Sequence, residues 1–371
     1  MTASWVRTAA GVTIAILVAA CGASEASTRP ATSPATGEAS SRAGSGSTGV
    51  PGPLTDAVNL RINVFPNVTH APGLIATADG GPLRKLLPNA NITVTTTNSG
   101  TGAVEQLFAD AIDMTYIGPN PALNAFTQSD GEAVRVVAGS TSGGAFLVVR
   151  PEIRTATDLR GKNVASPNLG NTQDVALRAW LQSQGLTTDT AGGGDVSVVP
   201  QENSLTLQAF TTGDIDGAWV PEPWATRIID EAGAKVLVDE RALWPGGRYV
   251  TTHLMVATKY LDANPEVVTR VILATIDAID FANEHPADAQ QIANAEIEKW
   301  TTQALGDDLL AKSWSNLEFT IDPIASSLAK SAEDAQSLGL LQDPGDLAGL
   351  YDLTLVNELL RGLDRPEVTG L

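Results

Sequence analysis

Two stretches of this chain repeat one order of elements, and that order constrains the fold more than any single motif. From Asn59 the sequence predicts a strand over Leu60–Phe65, a polar loop over Pro66–Ala71, a helix from Pro72 to Asp79 or beyond and a strand over Ile92–Thr97. The loop Asn98–Thr101, a helix over Gly102–Ala109, a strand over Met114–Ile117 and a turn at 118–121 complete the unit. From Lys162 the same order returns as a strand over Asn163–Ser166, a polar loop, a helix over Thr172–Gln184 and a strand over Val196–Val199. It ends with the loop Pro200–Asn203, a helix over Ser204–Thr212, a strand over Gly217–Val220 and a turn at 221–224. The joins agree too: Ala-Ile-Asp-Met-Thr-Tyr-Ile running to Pro-Asn-Pro at 111–121, against Asp-Ile-Asp-Gly-Ala-Trp-Val running to Pro-Glu-Pro at 214–223. Strands alternating with helices of about ten residues read as parallel sheets covered on both faces, hence as two α/β lobes of related topology.

Between the two units lie the apolar runs Val134–Ala138 and Phe146–Val149, interrupted by Gly139–Gly144, and after the second unit comes Val250–Ala257. Both read as extended crossings between lobes, with glycine letting the first one bend, and two crossings make a hinge. The last third is helical: Asn264-Pro265 starts a helix with Val268, Val271, Ile272, Ile276 and Ile279 on one face, and Pro286 starts another. Amphipathic segments at 307–317, 323–338 and 346–360 follow and complete the first lobe. The expected domains are residues 57–145 with 251–371 as lobe 1 and 146–250 as lobe 2.

Where a strand ends in a polar glycine turn and a helix begins, the free N–H groups and the positive helix end point past the carboxyl edge of the sheet, where open α/β folds bind ligands. The clearest case is 163–180, with Asn171 or Thr172 as N-cap and Asp174 or Gln173 close behind. Such a turn is an anion cradle, or else it merely satisfies a helix end; its repetition along the chain favours the first reading.

The N-terminus carries one basic residue, Arg7, and then an apolar run over Ala9–Ala20 that stops at Val18-Ala19-Ala20-Cys21. That is a secretory signal, residues 1–20, too short for a permanent membrane helix. Cys21, the only cysteine, resembles the lipid-modified residue of a bacterial lipobox, so no intramolecular disulfide is available and stability must come from core burial. Residues 21–56, rich in Ser, Thr, Ala, Gly and Pro, cannot bury enough apolar surface to fold and are expected as a disordered tether. A formal net charge of −19 argues against nucleic acid as a partner. A small anion stays possible, because scattered carboxylates are screened beyond about 10 Å while backbone donors act at contact. The three histidines, His70, His253 and His285, have no metal-ligand spacing, and no nucleophile elbow or Walker loop occurs. Neither a metal nor a cofactor is expected, and no enzyme.

The ordered set Asn-Ser-Gly-Thr-Gly (98–102), Ala-Ile-Asp running to Ile-Gly-Pro-Asn-Pro (111–121), Thr-Asp-Leu-Arg-Gly-Lys-Asn-Val-Ala-Ser-Pro (157–167), Leu-Gly-Asn-Thr-Gln (169–173) and Trp-Val-Pro-Glu-Pro-Trp (219–224) resembles the solute-binding proteins of ABC importers for aliphatic sulfonates, taurine, nitrate and related small molecules. The resemblance runs from Leu60 to about Leu360. It implies a type II periplasmic-binding-protein-like fold, two doubly wound α/β lobes joined by a two-strand hinge, that closes on a small anionic or zwitterionic ligand and hands it to a membrane permease. The protein would be extracytoplasmic, monomeric and held to the membrane through Cys21. In that arrangement five polar turns converge: Asn67 to His70, Ser99, Gly100 and Thr101, and Asn120 from lobe 1, with Gly170, Asn171 and Thr172, and Trp219 to Glu222, from lobe 2; Ser142 lies near the hinge. Almost all are neutral donors, able to hold an ionised sulfonate without an arginine. Glu222 stands apart: it either accepts from a ligand ammonium, as taurine would supply, or ties down its own turn or pairs with Arg227 or Arg248. Trp219 and Trp224 suit either the core or an apolar cleft wall. The same scaffold also carries nitrate, bicarbonate and pyrimidine-precursor binders and a pyrimidine-synthesising enzyme that would need a reactive cleft histidine, and a sensor lipoprotein is a further alternative.

Overall fold

The computed structural model describes residues 49–371. The expected signal segment, Cys21 and most of the expected tether lie outside these residues. The tether's expected last residues, 49–56, run against the folded body. Leu54 N–H donates to the Leu86 carbonyl at 2.8 Å, its side chain packs on the core, and Arg270 Nε donates to the Gly52 carbonyl. One apolar residue with a place to bury outweighs the polar composition around it.

Eleven strands form: β1 (Asn59–Val64), β2 (Asn91–Thr96), β3 (Met114–Ile117), β4 (Val134–Gly143), β5 (Ala145–Val149), β6 (Asn163–Ser166), β7 (Ser197–Pro200), β8 (Gly217–Pro221), β9 (Lys235–Asp239), β10 (Val250–Ala257) and β11 (Leu317–Phe319). They make two sheets, ordered β11-β4-β10-β3-β1-β2 and β7-β6-β8-β5-β9. The duplicated units supply the parallel parts: β1 pairs with β2 and β3, placing Ile62 opposite Met114, and β6 pairs with β7 and β8, placing Val164 opposite Gly217. Neither sheet is wholly parallel, contrary to the expectation from alternation alone. β10 runs antiparallel to both β3 and β4, and β5 runs antiparallel to both β8 and β9. The reason is geometric. The parallel strands end at the gap between the sheets, so a chain arriving from the other lobe enters at that edge and must run the opposite way.

At the first crossing β4 passes into β5 through Gly143 and Gly144, both left-handed with φ of +81° and +72°. A Cβ on Gly144 would lie 2.2 Å from Leu317 Cδ2, so this corner requires glycine for conformation and for space. Thr251 Oγ1 donates to the Gly143 carbonyl at 2.6 Å, and Ala145 N–H donates to the Tyr249 hydroxyl at 3.1 Å, which ties the two crossings side by side.

One core cluster fills the first lobe around Leu60, Ile62, Met114, Val136 and Leu254, and two smaller ones cover the faces of the second sheet, around Leu147 and Trp219 and around Val148 and Phe210. The long helix Pro265–Glu284 lays Val268, Val271, Ile272, Ile276 and Ile279 into the first of these. Tyr116 fixes that helix to β3: the Thr275 hydroxyl gives its proton to the Val271 carbonyl, so the Tyr116 hydroxyl, 2.7 Å away, is the donor of the pair. Tyr116→Phe leaves the Thr275 oxygen short of a partner in a buried site, and urea denaturation is expected to show a loss of about 0.5–1.5 kcal/mol.

The predicted amphipathic segment 346–360 is interrupted. It becomes a short turn at Ala348–Leu350 and a helix at Thr354–Gly362, because Tyr351 bridges to Val136 of β4 and the Asp352 N–H donates to the Val136 carbonyl. A stretch that supplies an edge contact to a sheet cannot remain helical there.

Candidate functional site

The carboxyl ends of β1, β2, β6 and β7 meet around a recess of about 60 Å³. From the first lobe Asn67, Thr69 and His70 arrive on the turn after β1, and Ser99 and Gly100 on the turn after β2. From the second lobe Asn171, Thr172 and Gln173 arrive on the turn after β6, and Asn203 on the turn after β7. Three helices start here, at Gly100, Thr172 and Asn203, and their first amides find no partner inside their own helices. The first begins two residues earlier than the sequence suggests, because Ser99 caps it: its Oγ accepts from Gly102 N–H at 3.2 Å. Asn171 takes the N-cap place of the second, yet its Oδ1 points away from that helix, to 3.5 Å from Thr101 Oγ1 of the first lobe.

The lobes are therefore shut against each other. Thr172 Oγ1 packs so closely on Gly118 that a Cβ there would lie 2.6 Å from it, and Val175 of the Thr172 helix is buried in the first lobe's core. Lys312 Nζ to Asp230 Oδ2 at 2.8 Å adds a further link between the lobes.

No lysine, arginine, aspartate or glutamate lines the recess. His70 is neutral, since burial pushes its imidazole down to about 3. Its ring stacks on Phe65 at 4.5 Å and its Nδ1 lies 3.2 Å from Thr69 Oγ1, while Nε2 has no protein partner. Asn67 Oδ1 and Asn203 Oδ1 are likewise buried without partners. Unpaired buried polar atoms around one small space cost free energy unless something occupies it.

Of the residues expected at the site, Asn67, His70, Ser99, Gly100, Asn171 and Thr172 line this recess, and the others are placed differently. Thr101 is exposed and does not line the recess, though its Oγ1 lies 3.5 Å from Asn171 Oδ1 of the other lobe. Gly170 stands one residue outside, its N–H spent on Asp174 Oδ2 at 2.9 Å. Asn120 is buried in the first lobe, where its Oδ1 accepts from Ser331 Oγ at 2.7 Å. Ser142 is buried within the sheet, in register with Val250 of β10 and Glu318 of β11. Trp219 belongs to the second lobe's core and donates through Nε1 to Glu240 Oε2 at 2.7 Å.

Glu222 does not face the recess. It accepts from the Thr226 amide at 3.1 Å, the Thr226 hydroxyl at 2.8 Å and Asn316 Nδ2 at 2.7 Å, the last reaching over from the first lobe. Burial pushes its carboxyl above the usual range, and these donors pull it back. Of its two readings the structure supports the turn-tying one, but not with the arginines considered: Arg227 pairs with Glu231, and Arg248 with Glu318 and Asp322.

The sequence reading leaves Asn203 out of the site, takes in Thr69 only within the turn 67–70 and names Gln173 only beside the helix cap. Asn203 was within reach, for it occupies in the second unit the place that the 99–101 turn holds in the first. From the sequence Asp174 reads only as a helix-start residue. It is fully buried and accepts from Ser166 Oγ at 2.6 Å, from Gly170 N–H, and from Arg178 Nε at 3.1 Å, so it shapes the whole 166–172 turn.

Two α/β lobes on a double-strand hinge, with helix starts facing one another over a closed gap, make the fold that of a type II periplasmic binding protein. The chain belongs to the NMT1-like family, whose model matches residues 55–297. The taurine-binding periplasmic protein of Escherichia coli (strain K12) is 29% identical over 181 residues, 49% of this chain and 54% of that protein, so the alignment spans about half the length of this relative. Two solved structures share the fold. The alkanesulfonate-binding protein of Xanthomonas axonopodis pv. citri, bound to MOPS, superposes with a TM-score of 0.66 at 18% identity over 80% of this chain and 99% of that one. The periplasmic nitrate-binding protein of Synechocystis PCC 6803 gives 0.70 at 15% identity over 85% and 91%.

Proposed function

We propose that this chain is the extracytoplasmic solute-binding component of an ABC importer, which closes on a small organosulfonate-type anion and delivers it to the permease. One observation carries the reading: a recess free of charged side chains, ringed by three helix starts, with the buried His70 Nε2 left without a protein partner. Each helix start stabilises an anion by roughly 0.3–1 kcal/mol when exposed and up to about 2 kcal/mol when partly buried. Three of them, with hydroxyl and amide donors added in a gap that closure shields from bulk water, bring binding toward the micromolar range, about −8 kcal/mol.

The family and the binding-protein relatives support the transport role. A permease partner, secretion by residues 1–20, lipid attachment at Cys21 and a monomeric state are parts of the same proposal. Among the described residues no helix is long and apolar enough to cross a membrane, so the proposed attachment rests on the N-terminal segment.

Calorimetry of the purified chain against alkanesulfonates, taurine, nitrate, bicarbonate and sulfate tests the proposal. Saturable binding of at least one sulfonate, lost in Thr172→Val/Asn203→Leu, is the expected result, and silence across the whole panel would remove the anion site.

A further inference from the structure

The recess lies next to a chamber of about 770 Å³, and Phe65, Asn67, Asn98 and Asn203 line both spaces. A molecule that reaches past these four residues meets both. The second lobe walls the chamber with Leu207 and Trp224, and the first lobe with Trp300 and Leu309. Its charged lining residues are Arg227 and Glu231, paired with each other at 2.9 Å, and the Arg227 guanidinium lies over the Trp224 ring at 5.1 Å. That pair is neutral as a unit.

Resting on the oxyanion site proposed above, we infer that the ligand is an organic sulfonate with an extended, uncharged tail, its head in the recess and its tail in the chamber between the walls bearing Trp224 and Trp300. The small recess takes the head and little else. An inorganic oxyanion would leave the apolar part of the chamber wet and gain nothing from it. A zwitterion of taurine's size would bring an ammonium group into a space whose one lining carboxylate, Glu231, is already paired with Arg227, while Glu222 is committed to Thr226 and Asn316, and an unpaired charge there carries a desolvation penalty. An aryl or long alkyl tail meets the indole and leucine surface of both lobes at once, so the same contacts that select it also favour closure.

The test compares methanesulfonate, taurine, 1-octanesulfonate and 2-naphthalenesulfonate by calorimetry on the full folded chain. The two tailed ligands are expected to bind at least about tenfold more tightly than methanesulfonate, with taurine no better than methanesulfonate. In Trp224→Ala the ratio of tailed to short-ligand affinity is expected to shrink to about threefold or less. Leu207→Ser provides the same reading should the tryptophan variant fail to fold. Equal affinities across the four ligands, or taurine binding most tightly, would overturn the tail assignment while leaving the oxyanion site standing. Failure of all four to bind would overturn both.

Discussion

Replacing Asp174 by alanine is expected to lower the free energy of unfolding by about 3–5 kcal/mol and to abolish ligand binding. Asp174 and Arg178 are 0% and 2% exposed, so removing the carboxylate strands a guanidinium in the protein interior. The same change frees the Ser166 hydroxyl and the Gly170 amide, and with them the conformation that presents Asn171 and Thr172 to the recess. The double variant Asp174→Ala/Arg178→Met removes both charges and should recover a good part of the stability, because the penalty lies in the unpaired charge rather than in the lost bridge. Binding should stay lost in the double variant, since the turn has no other anchor of that kind. Urea denaturation reads the first quantity and calorimetry the second. A loss below about 1 kcal/mol in the single variant would mean that the pair is not buried as described.

Stability is also expected to fall as pH rises from about 4.5 to about 7 because of one residue, Glu240. Its carboxyl is 1% exposed, and burial pushes it up to about 7 from an ordinary 4.5, against the indole N–H of Trp219, which favours the charged form. The folded state therefore keeps a proton through a range in which the unfolded chain has released it. Where the folded state binds more protons, raising pH favours unfolding, by about 1.4 kcal/mol per pH unit for one group. The full window amounts to about 3 kcal/mol, and above pH 7 the two states titrate alike and the curve flattens. The measurement is the difference in unfolding free energy between the wild type and Glu240→Gln as a function of pH. Buried His70 and His253, lowered to about 3 and about 4, destabilise the fold on the acid side in both proteins and cancel in the difference. A difference that stays constant from pH 4.5 to 7 would sink the claim.

Much of the architecture is legible without coordinates. β3, β6 and β10 fall on the predicted residues, and the remaining strands of the duplicated units shift by one residue at their ends. Periodicity over four to eight residues is a local signal, and β3, β8 and β10 are buried along their whole length, so their apolar runs stand out. The direction of the crossing strands was not legible, since an apolar run reads the same in either direction and only the route between lobes decides. The break in 346–360 depends on Val136, more than two hundred residues earlier, offering its carbonyl to Asp352.

The recess divides in the same way. Asn67, Ser99, Gly100, Asn171 and Thr172 were visible because each sits in a polar turn directly after a strand, where the chain must emerge toward the gap. Asn120, Ser142, Trp219 and Glu222 lie within a sheet, near its end or at a helix start, where residues one position apart face opposite sides. Polar residue type alone does not say which side is the gap and which is an interior that supplies Ser331, Glu240 or Asn316 as partners.

What the sequence by itself determined is the order of strands, turns and helix starts, twice over, because spacing and turn chemistry act between near neighbours. The tertiary structure alone decided which polar groups are spent on each other and which remain free around the recess. Hydrogen-bond partners drawn from opposite lobes are chosen by packing, and packing is set by the closure of the whole chain.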